Sequence, residues 1–356
     1  MMDTLASKQA SKQASKQASK QASKQASKQA SKQDYILNDE SDTYYCIKAF
    51  AILSAVAAHV NSIIATPIAS KIATTIWAVY SCVGVPWFFI LSGFFFHYSK
   101  EKSGEFWMKK VRSILVPWVL CGIGTYLLSC ILGNSLELFG LVKWICGYSS
   151  WYYYMTVLLV LCVFFSQNSS DTVCYCAIGV NVISIFLHQY FGGGNFQFVN
   201  VLNWVGFFAV GILMRRYRLD RIIKNSQWIQ CVCILVLGLG IGGTIYANEF
   251  GYFHISSLLY EMASFPIILK LCSMIVSRVK VNHLVFIGKQ TLFVYLLHMQ
   301  VVQAIGTRIP TGLAKDVLYP IIALEIMALT AWILLKISAK SKIAHLCAPF
   351  IGLKTN

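Results

Sequence analysis

The stretch YYCIKAFAILSAVAAHVN, residues 44–61, is the segment that most clearly indicates the fold. It is apolar enough for a first membrane helix, yet it carries Lys48 near its start and His59 deep inside. Their separation of eleven residues corresponds to about 16 Å of helical rise and three turns plus about 20°. Both side chains therefore lie on one face, about half a hydrocarbon core apart. A charge and an imidazole at membrane depth are costly and usually functional.

A purely structural explanation of these two residues is also open. A lysine near a helix end can snorkel to the membrane interface while its stem stays in the apolar layer. A histidine inside the bilayer can simply hydrogen-bond to a neighbouring helix. The first helix alone does not decide between a structural and a functional role for Lys48 and His59.

The composition indicates a polytopic membrane protein. Of the 356 residues 57% are hydrophobic and 12% are charged, and the mean hydropathy is +0.61. Soluble domains carry about 25% charged residues, which excludes an ordinary soluble fold. The net charge of +16 would suggest a nucleic-acid partner in a soluble protein. Here the basic residues lie mostly in the tails and in alternate loops, so the positive-inside rule explains them and we expect no nucleic acid.

Hydropathy predicts an all-α protein with about ten membrane spans. Placing the lysine-rich N-terminal tail inside makes the basic segments 100–112, 215–224 and 277–283 cytoplasmic, with the C-terminal tail. The opposite loops are poor in lysine and arginine, so both termini are predicted to be cytoplasmic. We expect a tail at 1–43, a membrane domain at 44–338 and a second tail at 339–356. The predicted spans are 45–66, 74–97, 114–133, 150–167, 172–190, 199–214, 229–247, 256–276, 284–305 and 318–337.

The 12 cysteines are scattered, mostly within the apolar spans. The C-x-C pairs at 174/176 and 231/233 place their sulfurs on different sides of a helix. We interpret them as small apolar residues, and we expect neither disulfides nor a metal site.

Four ionisable side chains are predicted to share one layer inside the membrane. His59 and His298 reach similar depths on the first and ninth spans, and Glu261 and Glu325 enter from the outer side. Such a set could form a buried site in which an imidazole takes a proton and a carboxylate orients it. Two alternatives remain: protonated glutamates that hydrogen-bond between helices, and the relay of a proton-coupled transporter.

Several local patterns, in their order along the chain, resemble one family. Lys48 and His59 match a basic residue–ten–histidine motif, and later segments match a Ser-Gly-aromatic span, a basic loop, a Trp-aromatic span, a glycine span ending in arginines and a Tyr-His span. Over roughly residues 44–338 the chain resembles the acyltransferase 3 family of integral-membrane O-acyltransferases. The later segments are GVPWFFILSGFFFHYS (84–99), KKVRSILVPW (109–118), SSWYYYMTVLLVL (149–161), VGFFAVGILMRRY (205–217) and IGKQTLFVYLLHMQVV (287–302).

The resemblance implies an enzyme that moves an acyl group, commonly acetyl from cytoplasmic acetyl-CoA, onto a sugar hydroxyl. His59 suits the base, because the ordinary pKa of histidine lies near neutrality. Ser92 with Gly93 would let a ligand approach, although close helix packing explains these small residues equally well. The family's basic residue is most often arginine, and Lys48 lacks its bidentate fork. The cations that would attract the phosphates of coenzyme A are Lys48, Lys109, Lys110 and Arg112.

Residues 6–33 are seven perfect copies of Ala-Ser-Lys-Gln. The segment lacks an apolar face, and we expect a disordered or weakly helical tail. The codons GCA AGC AAG CAA encode this unit and are also an uninterrupted GCAA tetranucleotide tract. Such a tract slips during replication and shifts the reading frame, as in phase-variable loci of mucosal Gram-negative bacteria. These loci often modify surface glycans, so we expect an inner-membrane enzyme acting on lipooligosaccharide, lipopolysaccharide or capsule, or on a lipid-linked precursor.

Two other function classes fit part of the sequence. A transporter of a glycan or acyl precursor would use the buried charges as a proton relay and would need no acetyl-CoA. A membrane scaffold would leave the buried histidines unexplained. Release of coenzyme A by the purified protein would separate the acyltransferase from both.

The repeat makes a prediction about the gene. The codons for residues 6–33 should form an uninterrupted run of GCAA units, because slippage requires a perfect tract. Sequencing the gene tests this, with the codons used for the same four amino acids elsewhere in the gene as the reference. Mixed synonymous codons within the tract would contradict the hypothesis and leave an ordinary repeat in the protein.

Overall fold

The computed structural model describes residues 41–59, 71–131, 133, 135–192, 197–306 and 313–355, and the repeat at 6–33 lies outside them. Within these ranges the chain forms helices and no strand, which confirms the all-α prediction for this part of the protein. The first helix, α1, covers 41–59. The later helices are α2 Lys71–Ser81, α3 Gly84–Phe94, α4 Ser103–Lys110, α5 Val116–Ile131, α6 Leu138–Ile145, α7 Tyr153–Gln167, α8 Asp171–Phe191, α9 Val205–Arg216, α10 Leu219–Asn225, α11 Gln227–Ala247, α12 Ile255–Arg278, α13 Asn282–Lys289, α14 Thr291–Gly306, α15 Leu313–Lys340 and α16 Lys342–Cys347.

Six helical segments in the described ranges are long and apolar enough to cross a membrane, and a seventh is added if α13 and α14 form one broken span. The axis bends by 80° between these two helices. The protein is therefore a multi-pass membrane protein. The six segments are Thr75–Phe94, Ser103–Ile131, Asp171–Phe191, Gln227–Ala247, Ile255–Arg278 and Leu318–Lys340.

Three of the ten predicted spans are shorter than a full crossing in the described residues. Only 41–59 is described of the first span, and α7 and α9 have 15 and 12 residues. Before α9 the backbone forms a 3₁₀ turn at Val201–Asn203, in which the Leu202 amide donates to the side chain of Asn200 at 3.1 Å. Non-helical backbone at membrane depth is tolerated where protein covers it, and α9 is packed between α3 and α8. Ten spans therefore remain a prediction.

Helices α3 and α9 form the buried centre of the protein and touch along their backbones. A Cβ added at Gly93 would lie 1.9 Å from the carbonyl oxygen of Phe208, and one at Gly211 would lie 2.0 Å from that of Ile90. Lipid competes equally well for apolar side chains, so membrane helices associate through such close contacts between small residues. Of the two explanations left open for Ser92-Gly93, close helix packing describes Gly93.

Two further glycines bring α1 against its neighbours. A Cβ on Gly84 would lie 2.3 Å from the Ala51 carbonyl oxygen, and one on Gly288 would lie 2.0 Å from that of Tyr45. Ser54 strengthens the first contact, because its hydroxyl donates to the Tyr80 carbonyl and accepts from the Gly84 amide, at 2.6 and 2.8 Å. Helix α1 is thus held at both ends of its buried face, which fixes the positions of Lys48 and His59.

The contact between α3 and α9 gives a stability prediction. The substitution Gly93→Ala should remove most folded protein, because its methyl group overlaps a backbone carbonyl that cannot rotate away, at a cost above about 3 kcal/mol. The matched control is Gly238→Ala in α11, where a Cβ meets nothing within 4 Å and helix propensity improves. Size-exclusion yield and thermal unfolding in detergent measure both variants. Equal stability of the two variants would show that the helices separate easily.

Candidate functional site

Two of the predicted site residues, His59 on α1 and His298 on α14, are in direct contact. Their ring centroids lie 4.9 Å apart with the planes tilted by 44°. The His298 side chain is fully buried, whereas His59 is partly exposed. We call them the histidine pair.

One hydrogen bond fixes the tautomer of His298. Its Nδ1 lies 2.7 Å from the Tyr295 carbonyl oxygen. A carbonyl oxygen only accepts, so Nδ1 carries the proton, and in the neutral ring Nε2 is an open lone pair. This buried Nε2 has no hydrogen-bond partner among the described residues. A buried, unpartnered acceptor is costly, which marks it as a group available to a ligand.

The start of α7 is bonded to α14 beside the pair. The Tyr295 hydroxyl donates to the Trp151 carbonyl, and the Tyr152 hydroxyl donates to the Leu296 carbonyl at 3.0 Å. The Trp151 ring stands edge-on to the His298 ring at 6.0 Å. The aromatic motif at 149–161 therefore holds α14 so that the imidazole of His298 meets α1.

A cavity of about 240 Å³, the narrow cavity, runs between α1, α3, α7 and α14. Lysines Lys48 and Lys110 line one part of it, and Tyr295, one helical turn before His298, lines another. Ser92 also lines the cavity, and its hydroxyl lies 2.9 Å from the Tyr154 hydroxyl. The remaining wall is apolar. Its residues are Phe88, Leu91, Phe95, Ile114, Met155, Leu158 and Leu292, with the polar Thr291.

Lys48, Lys289 and Lys354 surround the ring of Tyr45, and Lys110 lies near Lys48. We call these five residues the basic mouth. The ammonium groups of Lys48, Lys289 and Lys354 lie 5.4, 5.6 and 5.0 Å from the ring centroid. Lys354 also donates to the Tyr45 hydroxyl at 2.7 Å. Attraction to the ring offsets part of the mutual repulsion, and an anion would remove more of it.

A second cavity of about 830 Å³, the wide cavity, shares Lys48 and Phe95 with the narrow one. Arginines Arg215, Arg218 and Arg221, around the end of α9 and the start of α10, line it. Among its described lining residues Asp220 is acidic, and it accepts a hydrogen bond from the Tyr44 hydroxyl at 3.1 Å. The wide cavity is therefore a strongly cationic space adjoining the basic mouth.

The basic residues of the loop predicted to bind phosphate lie partly in the site and partly on the surface. Lys110 lines the narrow cavity, while Lys109 and Arg112 are exposed and line neither cavity. A π-helical stretch, Val111–Leu115, follows directly. Such local widening is frequent at functional sites, and here it includes Ile114 of the cavity wall.

The two glutamates do not join the histidine pair. Both carboxylate oxygens of Glu325 lie 3.0 Å from His283 Nε2, and both side chains are largely exposed. Glu261 is 2% exposed, and its Oε1 has no partner within the described residues. No hydrogen bond or ring contact joins it to either histidine there. Of the four groups expected in one layer, the ring contact joins the two histidines, while Glu325 pairs with His283; the shared depth of the four stays a prediction.

Sequence reasoning did not assign Lys289, Lys354 or the arginines of the wide cavity to the site. The arginines were attributed to topology alone, although Arg215 lies at the end of the glycine span at 205–217 and Arg218 and Arg221 follow it. Lys289 lies in the Tyr-His motif at 287–302, where a cation close to a glycine was an available signal. Lys354 reaches Tyr45 from the C-terminal segment, a contact that no local pattern indicates.

The arrangement combines three chemical capacities. Cations at the basic mouth and in the wide cavity would bind phosphate groups. The mainly apolar narrow cavity would take an uncharged chain. One helical turn beyond its Tyr295 wall, the His298 imidazole with a fixed lone pair would accept a proton.

A protein-family model described as an acyltransferase domain, acyltransferase 3, matches residues 44–337. The match spans most of α1 to most of α15 and includes the histidine pair and the lining of the narrow cavity. Searches of curated proteins and of solved structures gave no match. The chain therefore belongs to the acyltransferase 3 family of membrane acyltransferases.

Proposed function

We propose that the chain is a membrane O-acetyltransferase that moves acetyl from cytoplasmic acetyl-CoA to a sugar hydroxyl of a bacterial surface glycan. The acceptor is lipooligosaccharide, lipopolysaccharide, capsule or a lipid-linked precursor. The observation that carries the proposal is the narrow cavity, which joins the basic mouth to the neighbourhood of the histidine pair. This cavity matches a donor with a charged head and a reactive group on an uncharged arm.

Acetyl-CoA would occupy the two cavities in one orientation, with its phosphates at the basic mouth and its thioester toward the histidine pair. Its phosphates would lie against the basic mouth and the arginines of the wide cavity. Its pantetheine arm would pass Ser92 and Tyr154 in the narrow cavity. The thioester would then reach Tyr295, within one helical turn of His298. Two cavities that share Lys48 are suited to hold a head group and an arm together.

The histidine pair would supply the base, with the partly exposed His59 nearer to an incoming acceptor. The acceptor hydroxyl gives its proton to the imidazole while its oxygen bonds to the thioester carbonyl carbon. The carbon–sulfur bond then breaks, and the thiolate of coenzyme A takes the proton back from the imidazolium. The products are an ester and a free thiol, and the proton balance is zero.

The cellular setting follows from the same proposal. A cytoplasmic donor places the basic mouth on the cytoplasmic side, in agreement with the predicted ten spans and cytoplasmic termini. We propose the bacterial inner membrane as the location, with 1–43 and 339–356 as cytoplasmic tails and 44–338 as the catalytic membrane domain. Slippage in the repeat tract would switch the acetylation on and off.

The first experiment is mass spectrometry of surface glycolipid from cells that express the intact chain, His59→Ala or His345→Ala at matched levels. The exposed His345 of α16, which lines neither the narrow nor the wide cavity, is the control. We expect acetylated glycolipid with the intact chain and the control, and a loss of at least about 100-fold with His59→Ala. Acetylation that persists without His59 would remove it from the mechanism. If the intact chain gives no acetylation and the purified protein releases no coenzyme A, the transporter becomes the better explanation.

The basic mouth gives a prediction about donor affinity. We expect Lys354→Gln to raise KM for acetyl-CoA about tenfold with kcat nearly unchanged, because a charge-assisted contact to phosphate is lost. Lys143→Gln on α6 removes an equal charge away from both cavities and should leave KM as it is. Steady-state release of coenzyme A at fixed ionic strength measures both. Equal KM values in the two variants would exclude a phosphate contact at Lys354.

A further inference from the structure

Trp151 carries a buried hydrogen-bond donor without a partner. Its side chain is 7% exposed, and its Nε1 bonds to nothing in the described ranges of the chain. An indole N–H donates and never accepts, and buried tryptophans normally satisfy it. Leaving it unpaired is unfavourable unless something outside the protein accepts the bond.

Other tryptophans of the core show what the usual arrangement looks like. Trp87, Trp118, Trp144 and Trp204 donate from Nε1 to Ser264 Oγ, Ile145 O, Thr125 Oγ1 and Phe198 O, at 2.9, 3.0, 3.1 and 2.8 Å. Trp118 is as deeply buried as Trp151, at 5% exposed. The helix ends around α5–α7 therefore readily supply acceptors, and the missing partner of Trp151 is specific to its position.

At that position Trp151 contacts both the histidine pair and a residue that lines the narrow cavity. The Trp151 ring is in edge-on contact with His298 at 6.0 Å. Its carbonyl accepts the hydroxyl of Tyr295, and Tyr295 lines the cavity. An unpaired donor, Trp151 Nε1–H, and an unpaired acceptor, His298 Nε2, thus lie on neighbouring rings at the end of the proposed donor path.

We infer that Trp151 is a further catalytic residue, whose indole N–H binds the carbonyl oxygen of the acyl group during transfer; this rests on the proposed function. As the acceptor oxygen bonds to the carbonyl carbon, the π electrons move onto the carbonyl oxygen, which accepts the bond from Trp151 Nε1. When the carbon–sulfur bond breaks, the carbonyl re-forms and the leaving thiolate takes the proton from the imidazolium. The donor is neutral, fixed and shielded from water, which is the arrangement that stabilises a developing oxyanion.

The test removes the N–H without changing the ring. Benzothienylalanine, which has sulfur in place of the indole N–H, is introduced at position 151 of the full-length protein, and at position 118 as the matched control. Release of coenzyme A is measured with acetyl-CoA and glycolipid extracted from cells that lack the chain. Thermal unfolding is measured with and without acetyl-CoA.

At position 151 we expect kcat to fall about 100-fold or more, KM for acetyl-CoA to change less than about threefold, and Tm of the ligand-free protein to stay unchanged or rise. At position 118 a bond within the protein is lost, so Tm should fall while kcat stays within about threefold. The loss of kcat at 151 without a loss of Tm separates catalysis from a structural role.

Two results would overturn the inference alone: an intact chain that is active while the 151 variant keeps its kcat, or a Tm loss at 151 equal to that at 118. A different result would overturn the proposed function and the inference with it. In that case the intact chain neither releases coenzyme A nor gains thermal stability from acetyl-CoA.

Discussion

The backbone contact between α3 and α9 is the constraint on which the rest of the structure depends. Gly93 meets the Phe208 carbonyl from one helix and Gly211 meets the Ile90 carbonyl from the other, so neither position tolerates a side chain. The neighbouring residue of α3, Ser92, then faces the narrow cavity and bonds to Tyr154. One Ser-Gly pair therefore joins two helices on one side and lines the candidate site on the other.

The histidine pair could be anticipated from the sequence, because straight helices of known rise place His59 and His298 at similar depths. The structure puts their rings in contact. Glu325 could not be placed in the same way. Hydropathy treats 284–305 as a straight span, whereas the chain bends by 80° between α13 and α14 and brings His283 to Glu325.

Other features of the site were hidden because they depend on long-range contacts. Lys354 reaches Tyr45 across 309 positions of the chain, and no local pattern encodes such a pairing. The shortness of α9 was equally invisible, because its apolar residues are buried against α3 and α8 and read like a membrane span. Sequence patterns thus predicted the helical class and most segments, while bends and tertiary packing decided which charges meet.

The bend after α13 also binds the C-terminal segment around Lys354. Gln290, at the bend, accepts from the Lys354 amide at 2.9 Å and donates to the Lys354 carbonyl at 3.1 Å. Lys354 also donates from its ammonium group to the Tyr45 hydroxyl. A fusion partner or affinity tag joined directly after Lys354 would therefore start beside the basic mouth. A tag placed on the N-terminal side has residues 1–40 between it and α1.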